Sequence, residues 1–389
     1  MSPTLCQIPP LFKRKIFYLG GFDPRGGRFY HGLHQQVLDA QAPDWPEGRL
    51  ILSPRQRRGA DVNWTVTDQA GSLLADTTCL GWDDIVRDHW PRGALAVGWR
   101  ILRAHAHMLR QLDFAQMRRW PRGSWIGLFG PVGMLLLGPV LLGLGAAGLA
   151  GGLWGLWAGL GAGVGLGAGA AWTAARRTHA LWQMRFVLFN DDLARAGPDA
   201  ALDARLTHAA GLIAEALAQD WDEVVLISHS NGTELAVPVL ARLGARLEGA
   251  VPDRFGMVTY GSCVQLLACR RDAAWFARDL DAVARLGVRW VDVASPADGA
   301  CVALVPPAQG RPVEAPAGLI QRSPRWHLFA DAATRAARRR DRFAQHFDYL
   351  RRMQRASPLD YVAITCARRT LAQAVAAFDA CGPTMEAAQ

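Results

Sequence analysis

Charged residues are missing from one long segment of the 389-residue chain, and this absence sets the first limit on what the protein can be. Between Arg122 and Arg176 lie 53 residues without one Asp, Glu, Lys, Arg or His. One bilayer span takes about 20 apolar residues, so the run has room for two spans and a turn but not for three. It therefore argues against a purely soluble protein.

Lysine and paired cysteines are scarce as well. The seven cysteines include no C-x-x-C pair, which argues against a disulfide framework and a zinc site. We expect neither a metal nor another cofactor. Lys13 and Lys15 are the only lysines, so the formal net charge of +9 rests on arginine. No zinc-finger or RNA-binding pattern accompanies these arginines, so we expect anionic lipid as their partner, and no nucleic acid.

The uncharged run predicts a transmembrane helical hairpin over residues 122–175, with its turn near residues 146–152. Arginines lie at both outer ends of the run and none lies in the turn. The positive-inside rule then places both termini and the polar remainder in the cytoplasm. The sequence thus predicts a multi-pass membrane protein with two spans and the lipid bilayer as a partner. Pro139 predicts a kink in the first span.

A stripe of small residues runs through the second half of the hairpin. Such a stripe lets another helix approach closely, and its partner is either the first span or a second copy of the chain. A homodimer through this face is therefore one of two predictions. The stripe consists of Gly151, Gly155, Gly159, Gly163 and Gly167.

The polar segments 1–121 and 176–389 are predicted to be two parts of one domain, separated by the hairpin. Helical spacing indicates helices at 93–120, 201–219, 233–247 and 273–286. Apolar runs bounded by turn residues indicate strands at 15–20, 49–53, 62–67, 184–189, 223–228, 255–260 and 288–294. The alternation predicts an α/β fold, a mostly parallel sheet with helices on both faces.

One strand-to-helix junction carries most of the chemistry. The run Ser228-His229-Ser230-Asn231-Gly232 resembles the nucleophile elbow of the α/β-hydrolase superfamily, in which G-x-S-x-G forms a strained turn. Ser228 stands at the position of the first glycine. The resemblance implies that Ser230 is the nucleophile and that the backbone N–H of Asn231 is an oxyanion donor. It also implies a second donor after an early strand, at Gly21 or Phe22.

The resemblance further implies an acid and then a histidine, in that order, after the nucleophile. Asp298 lies in the loop after the predicted strand 288–294, and Asp292 lies within that strand as the second choice. His346 and His327 are the only histidines that follow. We favour His346, because apolar residues suited to a short helix come directly after it.

These residues together predict a membrane-anchored serine hydrolase, similar to esterases and lipases. It would cleave an apolar carboxylic ester or thioester, with lipid as a candidate, through an acyl-enzyme. Two other interpretations stay open. One is an acyltransferase that uses the same triad, and the other is a non-catalytic membrane scaffold with a hydrolase-like fold.

Overall fold

A single nine-stranded sheet contains chain from both sides of the uncharged run. The computed structural model describes residues 11–40, 48–91, 93–307 and 316–382. The strands are β1 Phe12–Leu19, β2 Leu50–Leu52, β3 Gln56–Arg58, β4 Asp61–Asp68, β5 Leu73–Cys79, β6 Glu223–His229, β7 Phe255–Tyr260, β8 Arg289–Val293 and β9 Leu319–Arg322.

The sheet is parallel over most of its width. Its order is β2-β4-β5-β1-β6-β7-β8-β9, with β3 also paired to β4. Strands β5, β1, β6, β7, β8 and β9 run parallel, while β2, β3 and β5 are antiparallel to β4. Every residue of β6 is buried, as expected for a central strand covered on both faces. The predicted α/β class is confirmed, with a mixed edge formed by the N-terminal strands.

Helices cover both faces of this sheet. Side chains of β1 and β6 alternate between two cores, one shared with the helices at 200–217, 232–246 and 274–285 and the other with the helices at 26–39, 361–366 and 371–379. The helices are α1 Gly26–Asp39, α2 Asp83–Asp88, α3 Ala94–Gln111, α4 Phe114–Met117, α5 Arg122–Val132, α6 Gly138–Trp154, α7 Leu156–Arg177, α8 Ala180–Ala196, α9 Ala200–Leu217, α10 Gly232–Arg246, α11 Val264–Ala268, α12 Ala274–Arg285, α13 Trp326–Phe329, α14 Ala332–Arg340, α15 Arg342–His346, α16 Tyr361–Cys366 and α17 Leu371–Asp379.

The predicted strand at 184–189 is wrong, because this segment lies inside helix α8. The buried residues of the segment include Met184, Val187 and Leu188, and their spacing of three and four follows a helix. The apolar run is continuous because neighbouring elements cover α8 on more than one side. A short buried run cannot be assigned to strand or helix by its periodicity alone.

The uncharged run forms two helical arms. The first arm is α5, a π-helical turn at Gly133–Leu137 and α6, and the second arm is α7. Gly155 separates the arms with a φ of +88°, a conformation that costs glycine little. The predicted turn near 146–152 is therefore misplaced, because the small residues there continue the helix. The π-helical turn lies next to Pro139, where a break in the helix was expected.

Within the described residues, one helix is long and apolar enough to cross a membrane, and it is Arg122–Trp154. The prediction of two such spans is therefore not met. Helix α7 is rich in glycine, and glycine adds length to a helix while contributing no side chain to its hydrophobicity.

The glycine stripe is divided between the two arms. Gly159, Gly163 and Gly167 face the first arm so closely that an added Cβ would come within 3 Å of its atoms. Their neighbours are Ala147, Gly143 and Pro139, respectively, while Gly151 belongs to the first arm and Gly155 to the turn. Packing within the hairpin thus uses most of the stripe. Dimerisation through it stays a prediction.

Candidate functional site

Ser230 lies at a sharp turn between the carboxyl end of β6 and the start of α10. Its φ is +57°, a left-handed conformation that costs a non-glycine residue energy and is concentrated at functional sites. Its backbone N–H donates to the carbonyl oxygen of Tyr260 at 2.9 Å. The hydroxyl of Thr233 donates back to the Ser230 carbonyl oxygen at 2.6 Å. These bonds hold the serine at the sheet edge, where its side chain is partly exposed.

Small residues make this turn possible. A Cβ added to Gly232 would clash with the carbonyl oxygens of Leu19 and Gly20, so α10 starts directly against the end of β1. Ser228, which stands where the elbow pattern has its first glycine, is completely buried and donates to the carbonyl oxygen of Val258 at 3.5 Å. A serine therefore fits this position without opening the turn.

The loop after β1 lies against the serine. A Cβ added to Gly21 would be 2.8 Å from Cβ and 3.2 Å from Oγ of Ser230. In the part of the chain that the structure describes, the backbone N–H groups of Gly21, Phe22 and Asn231 donate no hydrogen bond. The three predicted donors thus keep N–H groups without a hydrogen-bond partner among the described residues, as a group that is to stabilise a developing negative charge requires.

Asp298 and His346 form a buried pair at the same sheet edge. Nδ1 of His346 donates to Oδ2 of Asp298 at 2.7 Å. Asp298 also accepts from the Tyr349 hydroxyl at 3.1 Å and from the Ala300 N–H at 3.0 Å. Burial opposes ionisation of Asp298, but the interaction with His346 and these donors outweigh it and lower its pKa. Asp298 is therefore an ionised carboxylate that holds the imidazole with its proton on Nδ1.

The pair lies next to the serine turn. Gly261, which directly follows the Tyr260 carbonyl that binds Ser230, faces the pair, and a Cβ there would be 3.2 Å from Cε1 of His346. Among the hydrogen bonds of the described residues, none joins Ser230 Oγ to His346. Catalytic hydrogen bonds are often long without substrate and shorten in the complex.

His229, to which the sequence alone assigned no role, also contacts the site. Its Nε2 donates to the carbonyl oxygen of His346 at 2.8 Å, and the two rings are 4.8 Å apart. Burial, together with the nearby His346, lowers the pKa of His229 to about 3, so this ring is neutral. It ties the backbone of His346 to the residue before the serine. Its place next to Ser230 in the motif is the only sequence signal for this role.

The alternative acid and base lie elsewhere. Asp292 is buried in β8, where it accepts from Thr259 at 2.8 Å and from Gln321 at 3.0 Å. Burial raises its pKa to about 6, against these hydrogen bonds. His327 is exposed on α13. The structure therefore brings together Asp298 and His346, and neither alternative.

A second polar cluster, which no motif in the sequence indicated, lies beneath the serine turn. Glu234 in α10 is completely buried and accepts from the side-chain amides of Asn190 in α8 and Asn231. The Asn231 amide also donates to Asn190 Oδ1 at 3.0 Å. Burial raises the pKa of Glu234 well above its usual value, although both hydrogen bonds oppose the shift. The cluster links α8, the helix after the hairpin, to Asn231, the residue after Ser230.

We expect Glu234→Gln to remove a pH dependence of stability. The unfolded chain loses this proton near pH 4.5, the ordinary value for glutamate, and the folded chain keeps it to higher pH. Above pH 4.5 the folded state therefore binds more protons, and the free energy of unfolding falls as the pH rises toward the raised pKa. Thermal unfolding at several pH values should show a smaller fall in Tm for Glu234→Gln. The exposed Glu215→Gln should keep the wild-type slope, and equal slopes for all three proteins would refute the assignment.

The first hairpin arm is built against the loop that carries Asp298. A Cβ added to Gly127 in α5 would overlap the carbonyl oxygen of Gly299, the residue after Asp298. The Ser124 hydroxyl donates to the carbonyl oxygen of Cys301 at 2.6 Å. The backbone of α5 is thus in direct contact with the backbone of this loop. The loop cannot move unless the start of the arm, its root, moves as well.

The helix that follows the second arm reaches the opposite side of the site. The indole N–H of Trp182 in α8 donates to the carbonyl oxygen of Phe22 at 2.8 Å. The Phe22 ring packs against Phe189 of the same helix, with ring centres 5.2 Å apart. The two ends of the hairpin, its roots, therefore lie on either side of Ser230. One packs against the loop that carries Asp298 (the acid loop), and the other packs against the loop after β1 (the glycine loop).

The comparisons with known proteins add no relative. No known family model, curated protein or solved structure matches the chain. The described residues hold no cluster of three or more His, Cys, Asp or Glu that could bind a metal ion. A function for the chain must therefore be inferred from the residues around Ser230.

Proposed function

We propose that the protein is a serine hydrolase similar to the α/β-hydrolase superfamily, acting on a carboxylic ester or thioester. The observation that carries the proposal is the strained Ser230 turn, with the Asp298–His346 pair beside it at the same sheet edge. A positive φ at a serine between a buried strand and a helix is costly. An ordinary strand-to-helix connection does not need it, whereas a nucleophile that must project from the turn does.

The proposed reaction is acyl transfer to water. Ser230 Oγ attacks the carbonyl carbon while Nε2 of His346 takes its proton, and Asp298 stabilises the imidazolium. The oxyanion of the tetrahedral intermediate accepts hydrogen bonds from the N–H groups of Gly21 or Phe22 and of Asn231. His346 then returns the proton to the leaving alcohol or thiol. Water repeats the sequence on the acyl-enzyme and releases the acid.

We further propose that both hairpin arms enter a membrane from the cytoplasmic side. Both arms expose large apolar side chains to the surroundings, including Leu141 at 69%, Trp157 at 82% and Val164 at 72%. The charged flanks lie at the root, where Arg176 and Arg177 end α7. Because the roots flank Ser230, the serine would lie near the bilayer, which supports an apolar acyl substrate.

Labelling with a fluorophosphonate probe tests the nucleophile. We expect the wild-type protein to be labelled and Ser230→Ala not to be, because only an activated serine reacts with this probe. The matched control is Ser228→Ala, a change of the same side chain two residues earlier, which should be labelled like the wild type. Thermal unfolding of each variant verifies that it is folded. Labelling of folded Ser230→Ala, or of none of the proteins, would refute the proposal, and the second result would favour a non-catalytic scaffold.

A further inference from the structure

Helix α3 has two apolar faces, and only one of them is covered. Val97, Ile101 and Met108 are buried against the root of the hairpin and against α8. On the opposite side, Trp99 is 62% exposed, Leu102 43% and Leu109 45%. A stripe of exposed large apolar side chains on one helix marks a contact surface.

The N-terminal end of α3 lies beside the first hairpin arm, farther from the sheet domain than the root of that arm. A Cβ added to Gly98 would be 3.8 Å from Cδ2 of Leu136. From there α3 runs toward the domain, where the Asp113 N–H donates to the carbonyl oxygen of Cys269 at 2.9 Å. Trp99 is therefore at the height of Leu136, and Leu109 is about 15 Å nearer to the domain at 1.5 Å per residue.

Trp172 of the second arm lies at nearly the same height. Gly167 packs against Pro139 of the antiparallel first arm, so Trp172, five residues later, lies opposite about residue 134. Trp172 is 59% exposed, and the Arg176 guanidinium is 4.7 Å from the centre of its ring. The exposed indoles of Trp99 and Trp172 thus lie at nearly the same level of the hairpin and form a belt. The exposed Arg103 and Arg176 lie one helical turn nearer to the domain.

The distance from the belt to the hairpin tip matches the thickness of a bilayer. From Met134 to Trp154 the first arm covers about 30 Å at 1.5 Å per residue, which is the thickness of a bilayer hydrocarbon core. Tryptophan favours the boundary between hydrocarbon and headgroups, and arginine favours anionic headgroups. The part of the first arm that precedes Met134 would then lie at the level of the headgroups and the domain, and not in the hydrocarbon core.

We infer that the N-terminal end of α3 is a second bilayer contact, in which Trp99 enters the interface and Arg103 binds anionic lipid headgroups. This contact rests on the proposed insertion of the hairpin but not on hydrolysis. The α3 contact fixes the distance between the sheet domain and the bilayer, because α3 and the Trp172 end of α7 contact the same lipid interface. The lower half of the exposed stripe, at Leu109, remains in water.

Site-directed spin labelling of the full chain in phosphatidylcholine–phosphatidylglycerol vesicles tests the contact. Cys6→Ser and Cys381→Ser provide the background, because Cys381 is exposed, Cys6 lies outside the described residues, and the five cysteines from Cys79 to Cys366 are buried. Nitroxides are placed through Trp99→Cys, through Leu109→Cys as the matched control on the same face, and through Leu144→Cys in the hairpin. The ratio of oxygen to Ni-EDDA collision rates reports depth in the bilayer.

We expect the ratio at position 99 to be several-fold higher than at position 109 and lower than at position 144. A ratio at position 99 equal to that at 109, with a high ratio at 144, would overturn the α3 contact and leave the anchor intact. Low ratios at all three positions would overturn the anchor as well. A label at 99 that neither reagent reaches would show a protein partner or a second copy on this face, and would also overturn the lipid contact.

Discussion

Replacing Asp298 with asparagine is expected to lower kcat for hydrolysis of a short p-nitrophenyl ester by about 10⁴-fold, the size of this effect where a triad aspartate orients its histidine. The asparagine amide can donate toward Nδ1 of His346, which favours the tautomer with its proton on Nε2. That nitrogen then cannot accept the proton of Ser230. KM should change little, because Asp298 is buried behind His346 and away from the substrate.

Asp292→Asn is the matched control for this experiment. Asp292 is also a buried aspartate near the end of β8, but its carboxylate bonds to Thr259 and Gln321. With a pKa raised to about 6, it is partly protonated near neutral pH, so an amide disturbs it little. We expect kcat within a few-fold of the wild type. If Asp292→Asn and not Asp298→Asn abolished turnover, the roles assigned to the two carboxylates would be wrong.

Adding one methyl group at Gly127 is expected to lower kcat about 100-fold, although this residue belongs to the hairpin. The new Cβ would overlap the carbonyl oxygen of Gly299, and both partners are backbone, so no side-chain rotation can relieve the overlap. The acid loop must move, and a displacement of about 1 Å at a catalytic group can cost about 100-fold in rate. Overpacking of this kind also costs about 1–3 kcal/mol of stability.

Kinetic measurements on a second glycine variant of the same helix separate this effect from a general disruption of the hairpin. Gly130→Ala lies one turn further along the same helix, where the added Cβ would make an ordinary 3.5 Å contact with Ile126. We expect Gly130→Ala to keep both kcat and KM. For Gly127→Ala we expect kcat to fall while KM is retained, since the serine turn and the glycine loop are untouched. Wild-type kcat in folded Gly127→Ala would show that the acid loop does not depend on the hairpin.

Local patterns in the sequence were sufficient to predict the sheet class and to place Ser230 and Asp298 at one sheet edge. Each of the two follows an apolar strand, and parallel strands bring their carboxyl ends to one edge. The choice of His346 over His327 rested on the residues that follow it, and in the structure His346 contacts Asp298 while His327 is exposed.

Contacts between distant segments could not be predicted in the same way. The bond from Ser124 to Cys301 joins residues 177 positions apart, and nothing in either local sequence indicates the other. The cluster of Glu234 with Asn190 was missed for the same reason, since Asn190 directly follows the segment 184–189, which was predicted as a strand. Strand β5 was missed because its sequence, LLADTTC, mixes apolar, small and polar residues and lacks a long apolar run.

The position of the hairpin between β5 and β6 has a consequence for the order of folding. Strand β1 needs β6 as a neighbour, and the backbone N–H of Lys13 bonds to an aspartate 209 residues later, at Asp222. The chain emerges from the ribosome N-terminus first, so both apolar arms are synthesised before β6 exists. With the hairpin inserted as proposed, we therefore expect the arms to reach the bilayer while β1 still lacks its central partner. The sheet would then close only at the membrane surface, after synthesis has passed β6.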